Sequence, residues 1–335
     1  MKSMTLLVAM ALVSPALVSH ASGADLKPPR DGWASWEVPA VEGAPFYCCW
    51  NNWDDRKDAR TPCKLDAHRS YGTRDDDGTT DAVTVYARFK DGKVEKLKAV
   101  ASACPVETST PVQKLGNVAA DDSVRWLMAQ ARQAGAKSFA HDSVLEHSLA
   151  AIGLHRGDVA GKELASLARD DANVEIRKKA LFWMAMLRGT SGAQVTSSLM
   201  FSDPDPEFRQ HAAFALSQSK SPRIATDLIR LGDTDRSGEV RAQAWFWLAQ
   251  TGAVEAETAI SSALRKDADS GVREQAIFAL SQLPGERATT ALIAVAEDQK
   301  LTREQRKRAV FWLSQSESDA AQKYLEKVLA RAASR

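Results

Sequence analysis

The stretch VEIRKKALFWMAMLRG, residues 174–189, recurs four more times towards the C-terminus. The copies are PEFRQHAAFALSQSKS from residue 206, GEVRAQAWFWLAQTGA from residue 238, SGVREQAIFALSQLPG from residue 270 and REQRKRAVFWLSQSES from residue 303. One arginine marks the same position of each copy, at spacings of 32, 32, 32 and 33 residues: Arg177, Arg209, Arg241, Arg273 and Arg306. A fixed period of this length predicts a stacked array of helical repeats.

A second helix is predicted between successive copies, so that each repeat is a helix–turn–helix unit. These second helices are expected at residues 159–168, 193–200, 223–231, 254–264 and 287–296. Helical periodicity begins near Asp121, a degenerate copy of the repeat starts at Ser143, and residues 318–332 form an amphipathic closing helix. The sequence therefore predicts a mainly α protein, an α-α solenoid of about six helix pairs over residues 119–335.

Three positions of the repeat share one helix face. If the residue before the arginine is position zero, positions zero, four and seven cluster within about 60° of arc. Position four is alanine in every copy, which predicts a close approach of helices: Ala180, Ala212, Ala244, Ala276 and Ala309. Position seven alternates between tryptophan and alanine, so Trp183, Trp247 and Trp312 are predicted to lie in an interlocking core.

An aspartate lies six residues before each of the first four arginines, whereas Lys300 stands there in the fifth copy. These aspartates are expected to lie in turns, to cap the following helix and to pair with an arginine of a neighbouring unit. The predicted ladder consists of Asp171, Arg177, Asp203, Arg209, Asp235, Arg241, Asp267 and Arg273.

The Asp-x5-Arg-x2-Ala pattern, in register over about residues 121–335, resembles the HEAT-repeat family, in particular the short repeats of bilin-lyase-like proteins. The resemblance implies a HEAT-like right-handed superhelix and a ladder between turn aspartates and helix arginines of successive units. It does not imply bilin-lyase activity, because the same repeat serves many partners and no residue marks a bilin site.

The N-terminal residues 1–24 are predicted to be a secretory signal peptide. Lys2 is followed by an apolar run over residues 5–18, and small residues precede candidate cleavage sites after Ala21 and Ala24. We therefore expect a periplasmic or secreted protein without an integral membrane anchor after cleavage. No other apolar run is long enough to span a bilayer.

Residues 25–104 are predicted to form a small β-rich module. Residues 81–103 favour a hairpin that turns at Asp91-Gly92, and residues 105–118 are interpreted as a linker. Four tryptophans are expected to fill a small core around the cysteines: Trp33, Trp36, Trp50 and Trp53. With its Cys-Cys-Trp, the module resembles one that precedes such repeats in some exported bacterial proteins.

The four cysteines are expected to form two disulfides, since an even number in an exported chain favours pairing. Two connectivities stay open: Cys48–Cys63 with Cys49–Cys104, or Cys48–Cys104 with Cys49–Cys63. A metal site that uses these thiols and His68 is disfavoured, because the paired CxxC spacing of structural zinc sites is absent.

Position six of the repeat is the candidate binding feature. It lies about 240° from position zero, away from the predicted core, yet it is phenylalanine in every copy. Glutamine follows four residues later in the last four copies. The candidate groove residues are Phe182, Phe214, Phe246, Phe278, Phe311, Gln218, Gln250, Gln282 and Gln315. Two readings stay open: the phenylalanines fill grooves between helices, or with the glutamines they line a groove for a protein segment.

Composition and motifs favour a binding protein over an enzyme. The 44 Lys+Arg and 43 Asp+Glu give a net charge of +1, which supplies no overall attraction to nucleic acid. No metalloprotease histidine pair, nucleophile elbow or phosphate-binding glycine loop occurs. We therefore expect no enzymatic activity, cofactor or metal, and a partner that is a protein or peptide segment of the cell envelope. The alternatives are a purely structural spacer and an accessory lyase-like or thiol-dependent enzyme.

Overall fold

The computed structural model describes residues 26–49, 62–66, 71–72, 78–134 and 143–333. The predicted signal peptide, Trp50, Trp53 and His68 lie outside these residues. Among the described residues, a small β module comes first and a succession of helices follows it, as the sequence predicts.

The β module is organised around a four-stranded sheet in the order β6-β5-β1-β8. Its strands are β1 (Gly32–Pro39), β5 (Ala82–Lys90), β6 (Lys93–Ala101) and β8 (Val112–Asn117). Two short pairs accompany the sheet: β2 (Cys48–Cys49) with β4 (Tyr71–Gly72), and β3 (Cys63–Lys64) with β7 (Val106–Glu107).

The predicted hairpin is confirmed, because β5 and β6 pair antiparallel around Asp91 and Gly92. The φ angles of these two turn residues are 52° and 74°. Positive φ at both central residues defines the turn that matches the twist of two antiparallel strands. Alternate residues of β5 are buried, Val83, Val85 and Phe89 among them.

The predicted linker at residues 105–118 is instead largely strand. β8 pairs in parallel with β1, and Val106–Glu107 pairs with β3. The apolar residues of β8, Val112 and Leu115, are three positions apart, so the period of two that marks a strand is missing. Strand formation here depends on the open edge of β1, whose backbone groups need partners.

A disulfide joins Cys48 to Cys104 with a Cα–Cα distance of 5.6 Å. This bond agrees with the second of the two open connectivities, and Cys63 is also disulfide-bonded. The three cysteines pack with Trp33, Leu65 and Val100 in a small core of their own. Trp36 belongs instead to the large core that extends into the helices.

Thirteen helices follow among the described residues, and they pack in adjacent pairs as predicted. They are α1 (Ala120–Ala134), α2 (Val144–Leu154), α3 (Asp158–Asp170), α4 (Val174–Leu187), α5 (Gly189–Ser202), α6 (Pro206–Ser217), α7 (Ile224–Thr234), α8 (Gly238–Gln250), α9 (Ala256–Lys266), α10 (Ser270–Ser281), α11 (Glu286–Glu297), α12 (Arg303–Ser314) and α13 (Asp319–Ala333). The five copies of the repeated stretch are α4, α6, α8, α10 and α12, and α2 is the degenerate copy.

The helices of the repeated stretch form one layer, in which each packs extensively on the next, while α3, α5, α7, α9 and α11 contact one another far less. Helices that lie closer together belong on the inner side of a curved stack. All five alanines at position four have 0% of their surface exposed. The lack of a larger side chain there allows the helices to approach closely.

The β module and the first helices share one hydrophobic core. At their junction, the indole N–H of Trp36 donates to Ser123 Oγ at 2.7 Å, and Ser123 Oγ lies 2.7 Å from His155 Nε2. His155 Nδ1 lies 2.6 Å from the carbonyl oxygen of Ala151, so Nδ1 carries the proton and Nε2 accepts from Ser123. Burial lowers the pKa of His155 to about 4, because the charged ring would lose its hydration.

Candidate functional site

The phenylalanines at position six lie side by side on the inner layer of helices, together with the tryptophans at position seven. Ring contacts run without a break from helix to helix over the whole set. We call this set the aromatic row: Trp183, Phe182, Phe214, Trp247, Phe246, Phe278, Trp312 and Phe311. Tyr47 of the β module adds a ring at its N-terminal end, with centroids 6.5 Å from those of Trp183.

Two kinds of contact alternate along the aromatic row. Phe182 stacks on Phe214 with centroids 5.7 Å apart and planes at 11°, and Phe246 stacks on Phe278 at 5.7 Å and 9°. Between these stacks, Phe214 packs on Trp247 at 4.8 Å. The alternation arises because the even copies have alanine at position seven, so their phenylalanine reaches the tryptophan of the next helix.

The aromatic row lies at the border between the core and the surface. The first four phenylalanines are half-buried, and Phe311 is 49% exposed. Trp183, Trp247 and Trp312 were expected in the core, but they too are half-buried at its border. Each of these tryptophans packs against the phenylalanine beside it in sequence.

The predicted glutamines lie one helix turn beyond the phenylalanines. Gln250 Nε2 donates to Gln282 Oε1 of the next helix at 3.3 Å. Gln218, Gln282 and Gln315 each donate to the hydroxyl of the preceding serine, at 3.1, 3.0 and 3.2 Å. A carboxamide has two donor hydrogens and an acceptor oxygen with two lone pairs, so these bonds leave capacity on every glutamine.

The residues at position three border the aromatic row on its other side and vary from copy to copy. Lys179 forms an ion pair with Glu146, which also accepts from the indole N–H of Trp183 at 2.7 Å. His211 Nε2 lies 2.9 Å from the carbonyl oxygen of Lys178, and burial lowers the pKa of its imidazole. The N-terminal end of the aromatic row is therefore held by hydrogen bonds and an ion pair with neighbouring residues.

The arginines and aspartates of the repeat meet across successive units. Arg209 donates from Nε and Nη2 to the two carboxylate oxygens of Asp235 at 2.8 and 2.9 Å, and Arg241 binds Asp267 at the same two distances. Arg177 pairs with Asp203. The two-point geometry holds the Arg209–Asp235 and Arg241–Asp267 pairs in a fixed orientation.

The pKa values of the bound aspartates reflect this pairing. Burial raises the pKa of Asp235, but hydrogen bonds from Arg209 and from the backbone N–H of Ser237 outweigh it and leave the pKa lowered. Hydrogen bonds from Arg241 hold the pKa of Asp267 below its usual value. Both carboxylates are therefore charged at neutral pH.

The ladder aspartates were expected to cap the following helices, but they are not the N-cap residues. The caps are the residues two positions later, Asn173, Asp205, Ser237 and Asp269, and Thr302 caps the helix of the fifth copy. Each of the four ladder aspartates instead accepts a hydrogen bond from the backbone N–H of its cap residue. Sequence reasoning missed this division of roles, because an aspartate at either position satisfies the capping pattern.

The ladder ends earlier than predicted. Arg273 has no aspartate partner among the described residues, although its Nη1 donates to the carbonyl oxygens of Asp267 and Ala268 at 2.6 and 3.0 Å. Asp298, at the C-terminus of α11, pairs instead with Arg265 at 3.3 Å. No arginine of the described residues pairs with Asp171.

Within the described residues, no group of three or more His, Cys, Asp or Glu side chains is placed to hold a metal ion. None of the helices that the structure describes is both long and apolar enough to cross a membrane. The features that recur along the described helices are the aromatic row, the glutamines and the arginine–aspartate pairs.

The stacked helix pairs and their ladder place the C-terminal part of the chain among helical repeat proteins. A sequence model described as HEAT repeats matches residues 161–244 and 233–310. The stretch from 161 to 310 therefore consists of HEAT repeats. No curated protein is significantly similar in sequence to this chain.

Several solved structures resemble the chain at low identity. Human deoxyhypusine hydroxylase in complex with glycerol is 16% identical with a TM-score of 0.33, over 60% of this chain and 76% of that one. The complex of CpcE and CpcF of phycocyanin lyase from a Nostoc species is 19% identical with a TM-score of 0.34, over 57% and 75%. YibA of Escherichia coli is 18% identical with a TM-score of 0.33, over 62% and 81%.

Proposed function

We propose that the protein is a non-enzymatic scaffold that holds an extended protein segment along the aromatic row. The observation that carries the proposal is the continuity of the row: eight rings of five successive helices are in contact and keep part of their surface exposed. Partly exposed aromatic side chains are typical of the anchoring positions of protein interfaces.

The spacing of the repeats suits an extended chain. Packed helices lie about 8–10 Å apart, and an extended strand rises about 3.3 Å per residue, so about three residues of a bound segment correspond to each repeat. Such a segment exposes backbone N–H and C=O groups that need partners. The carboxamides of Gln250 and Gln282, one helix turn from the rings, supply donors and acceptors for them.

The cysteines support a structural role and an oxidising compartment. Cys48, Cys63 and Cys104 are disulfide-bonded, so these three lack the thiolate that a thiol-dependent enzyme needs. Disulfides persist mainly in exported proteins. We therefore propose, together with the predicted signal peptide, that the protein acts in the periplasm or outside the cell on a segment of an envelope protein.

The proposal is tested by selecting binders from a phage-displayed library of random peptides with the full-length protein. Wild type is expected to enrich peptides that a variant with Phe246→Ala and Phe278→Ala no longer binds. Because both rings are half-buried, each substitution should cost less than the about 3–5 kcal/mol of a fully buried phenylalanine, so the variant stays folded. Thermal unfolding checks this.

Leu329→Ala is the matched control, because Leu329 is 69% exposed and lies outside the aromatic row. It removes exposed apolar surface and should leave peptide binding unchanged. Gln250→Ala with Gln282→Ala should weaken binding with little effect on stability. A wild-type protein that enriches no peptide would leave only the purely structural spacer.

A further inference from the structure

The last arginine of the regular spacing, Arg273, is held in the same way as the ladder arginines that precede it. In Arg209 and Arg241, Nη1 donates to the carbonyl oxygen of the residue six positions earlier, and Nε and Nη2 bind a carboxylate of the next unit. Nη1 of Arg273 makes the same contact with Asp267. Nε and Nη2 of Arg273 have no hydrogen-bond partner among the residues that the structure describes.

The missing partner has a local cause. Asp298 ends α11 as Asp267 ends α9, and both accept a hydrogen bond from the backbone N–H two residues later. The turn after Asp298 is longer, however: Arg306 follows it by eight residues, whereas Arg273 follows Asp267 by six. Asp298 meets Arg265 instead, with both Nε and Nη2 at 3.3 Å.

A cavity of about 500 Å³ lies between the first turns of α10 and α12. Its walls include Arg273, Thr302, Gln305, Arg308 and Phe311. The other charged groups of the walls are paired with one another: Lys307 with Glu304 at 3.2 Å and Arg308 with Glu274 at 3.6 Å. The cavity therefore has one positive charge that its own walls do not balance.

We propose that this cavity binds the carboxylate of an aspartate or glutamate side chain in the partner segment. A guanidinium that offers Nε and Nη2 in one plane matches a carboxylate at two points, as Arg209 and Arg241 show in the same protein. The inference rests on the proposed function, because Phe311 is both the last ring of the aromatic row and a wall of the cavity. A segment that follows the row reaches Arg273 at its end.

The peptides that wild type enriches provide the test. We expect them to share one acidic residue, and replacement of that residue by its amide should weaken binding about tenfold to hundredfold, as for a hydrogen bond to a charged group. Arg273→Gln should weaken the acidic peptide to the same extent and leave its amide form unaffected. Arg273→Lys should restore only part of the affinity, because an ammonium lacks the planar fork.

Lys220→Gln is the control, since Lys220 is an exposed cation that lies outside the cavity and the aromatic row, and its loss should affect binding less than about threefold. The acid-to-amide comparison uses wild-type protein and does not depend on the stability of any variant. Peptides that need the phenylalanines but bind equally as acid and amide would overturn this inference and leave the proposed function intact. Enrichment of no peptide would overturn both.

Discussion

The helical repeats and the β module stabilise their cores by different means. In the repeats, the same contacts recur from unit to unit, so buried alanines, aromatic rings and arginine–aspartate pairs stabilise every part of the array. The β module has no repeat, and it relies on the Cys48–Cys104 disulfide and on the helices against which it packs. The contacts of the repeats are therefore used many times, whereas each contact of the module occurs once.

Among the contacts that recur in the repeats, loss of a buried ladder pair is expected to lower the free energy of unfolding most. Arg209→Ala leaves the carboxylate of Asp235 partly buried without its counter-charge, since Arg209 is only 2% exposed and binds it at two points. Removal of one partner from such a pair costs about 3–5 kcal/mol. The free energy of unfolding in urea measures the change.

Arg265→Ala is the control for that variant, because it removes an arginine–aspartate pair of the same kind at the surface. Exposed pairs contribute about 1 kcal/mol or less. Equal losses of unfolding free energy in the two variants would mean that the buried ladder pairs stabilise the protein no more than exposed surface pairs do.

A comparable loss of stability is expected in the β module when its disulfide is removed. Cys48 and Cys104 are separated by 56 residues, and the chain-entropy estimate for a loop of that size is about 4 kcal/mol. In a Cys48→Ser, Cys104→Ser variant the module should unfold at lower temperature, while the helical circular dichroism of the repeats persists. Wild type in the presence of a reductant should lose at least as much stability, because the disulfide of Cys63 is reduced as well. A simultaneous loss of helical signal would show that the module and the repeats unfold as one unit.

The junction between the two regions should respond to pH. The pKa of His155 is lowered from 6.5 to about 4 in the folded protein, so between these pH values the unfolded chain binds a proton that the folded chain does not. Stability is therefore unaffected above about pH 6.5 and falls as the pH drops towards 4, by up to about 3 kcal/mol.

The measurement is the free energy of unfolding as a function of pH, in wild type and in His155→Gln. Glutamine can donate to Ala151 and accept from Ser123 as the neutral imidazole does, but it does not titrate. The variant should lose most of the slope between about pH 6.5 and 4. An unchanged slope would assign the acid sensitivity to other groups, such as His211, whose pKa is also lowered.

Sequence periodicity was sufficient for the helical part of the fold. The predicted second helices agree with α3, α5, α7, α9 and α11 within a few residues, and the five position-four alanines are all fully buried. These features follow from local spacing, because a residue's place on a helix face depends only on its position in the repeat.

Contacts between different helices and strands could not be predicted from residue spacing. The β8 strand exists because β1 leaves an edge to pair with, and Val112–Asn117 carries no strand pattern of its own. The tryptophans were assigned to the core from their arc on the helix. The contacts of Trp247 and Trp312 with a phenylalanine of the preceding copy depend on the neighbouring helix, which has alanine at position seven.

The sequence by itself determined the repeat, its helices and the residues that mark each unit, because these depend on intervals along one chain. Only the tertiary structure decided which of the marked residues meet. The count of six residues gave Lys300 as the fifth copy's equivalent of the ladder aspartates and overlooked Asp298, which ends α11 but precedes Arg306 by eight residues. Whether a carboxylate reaches a guanidinium depends on their separation in space, and two extra residues in a turn suffice to send Asp298 to Arg265.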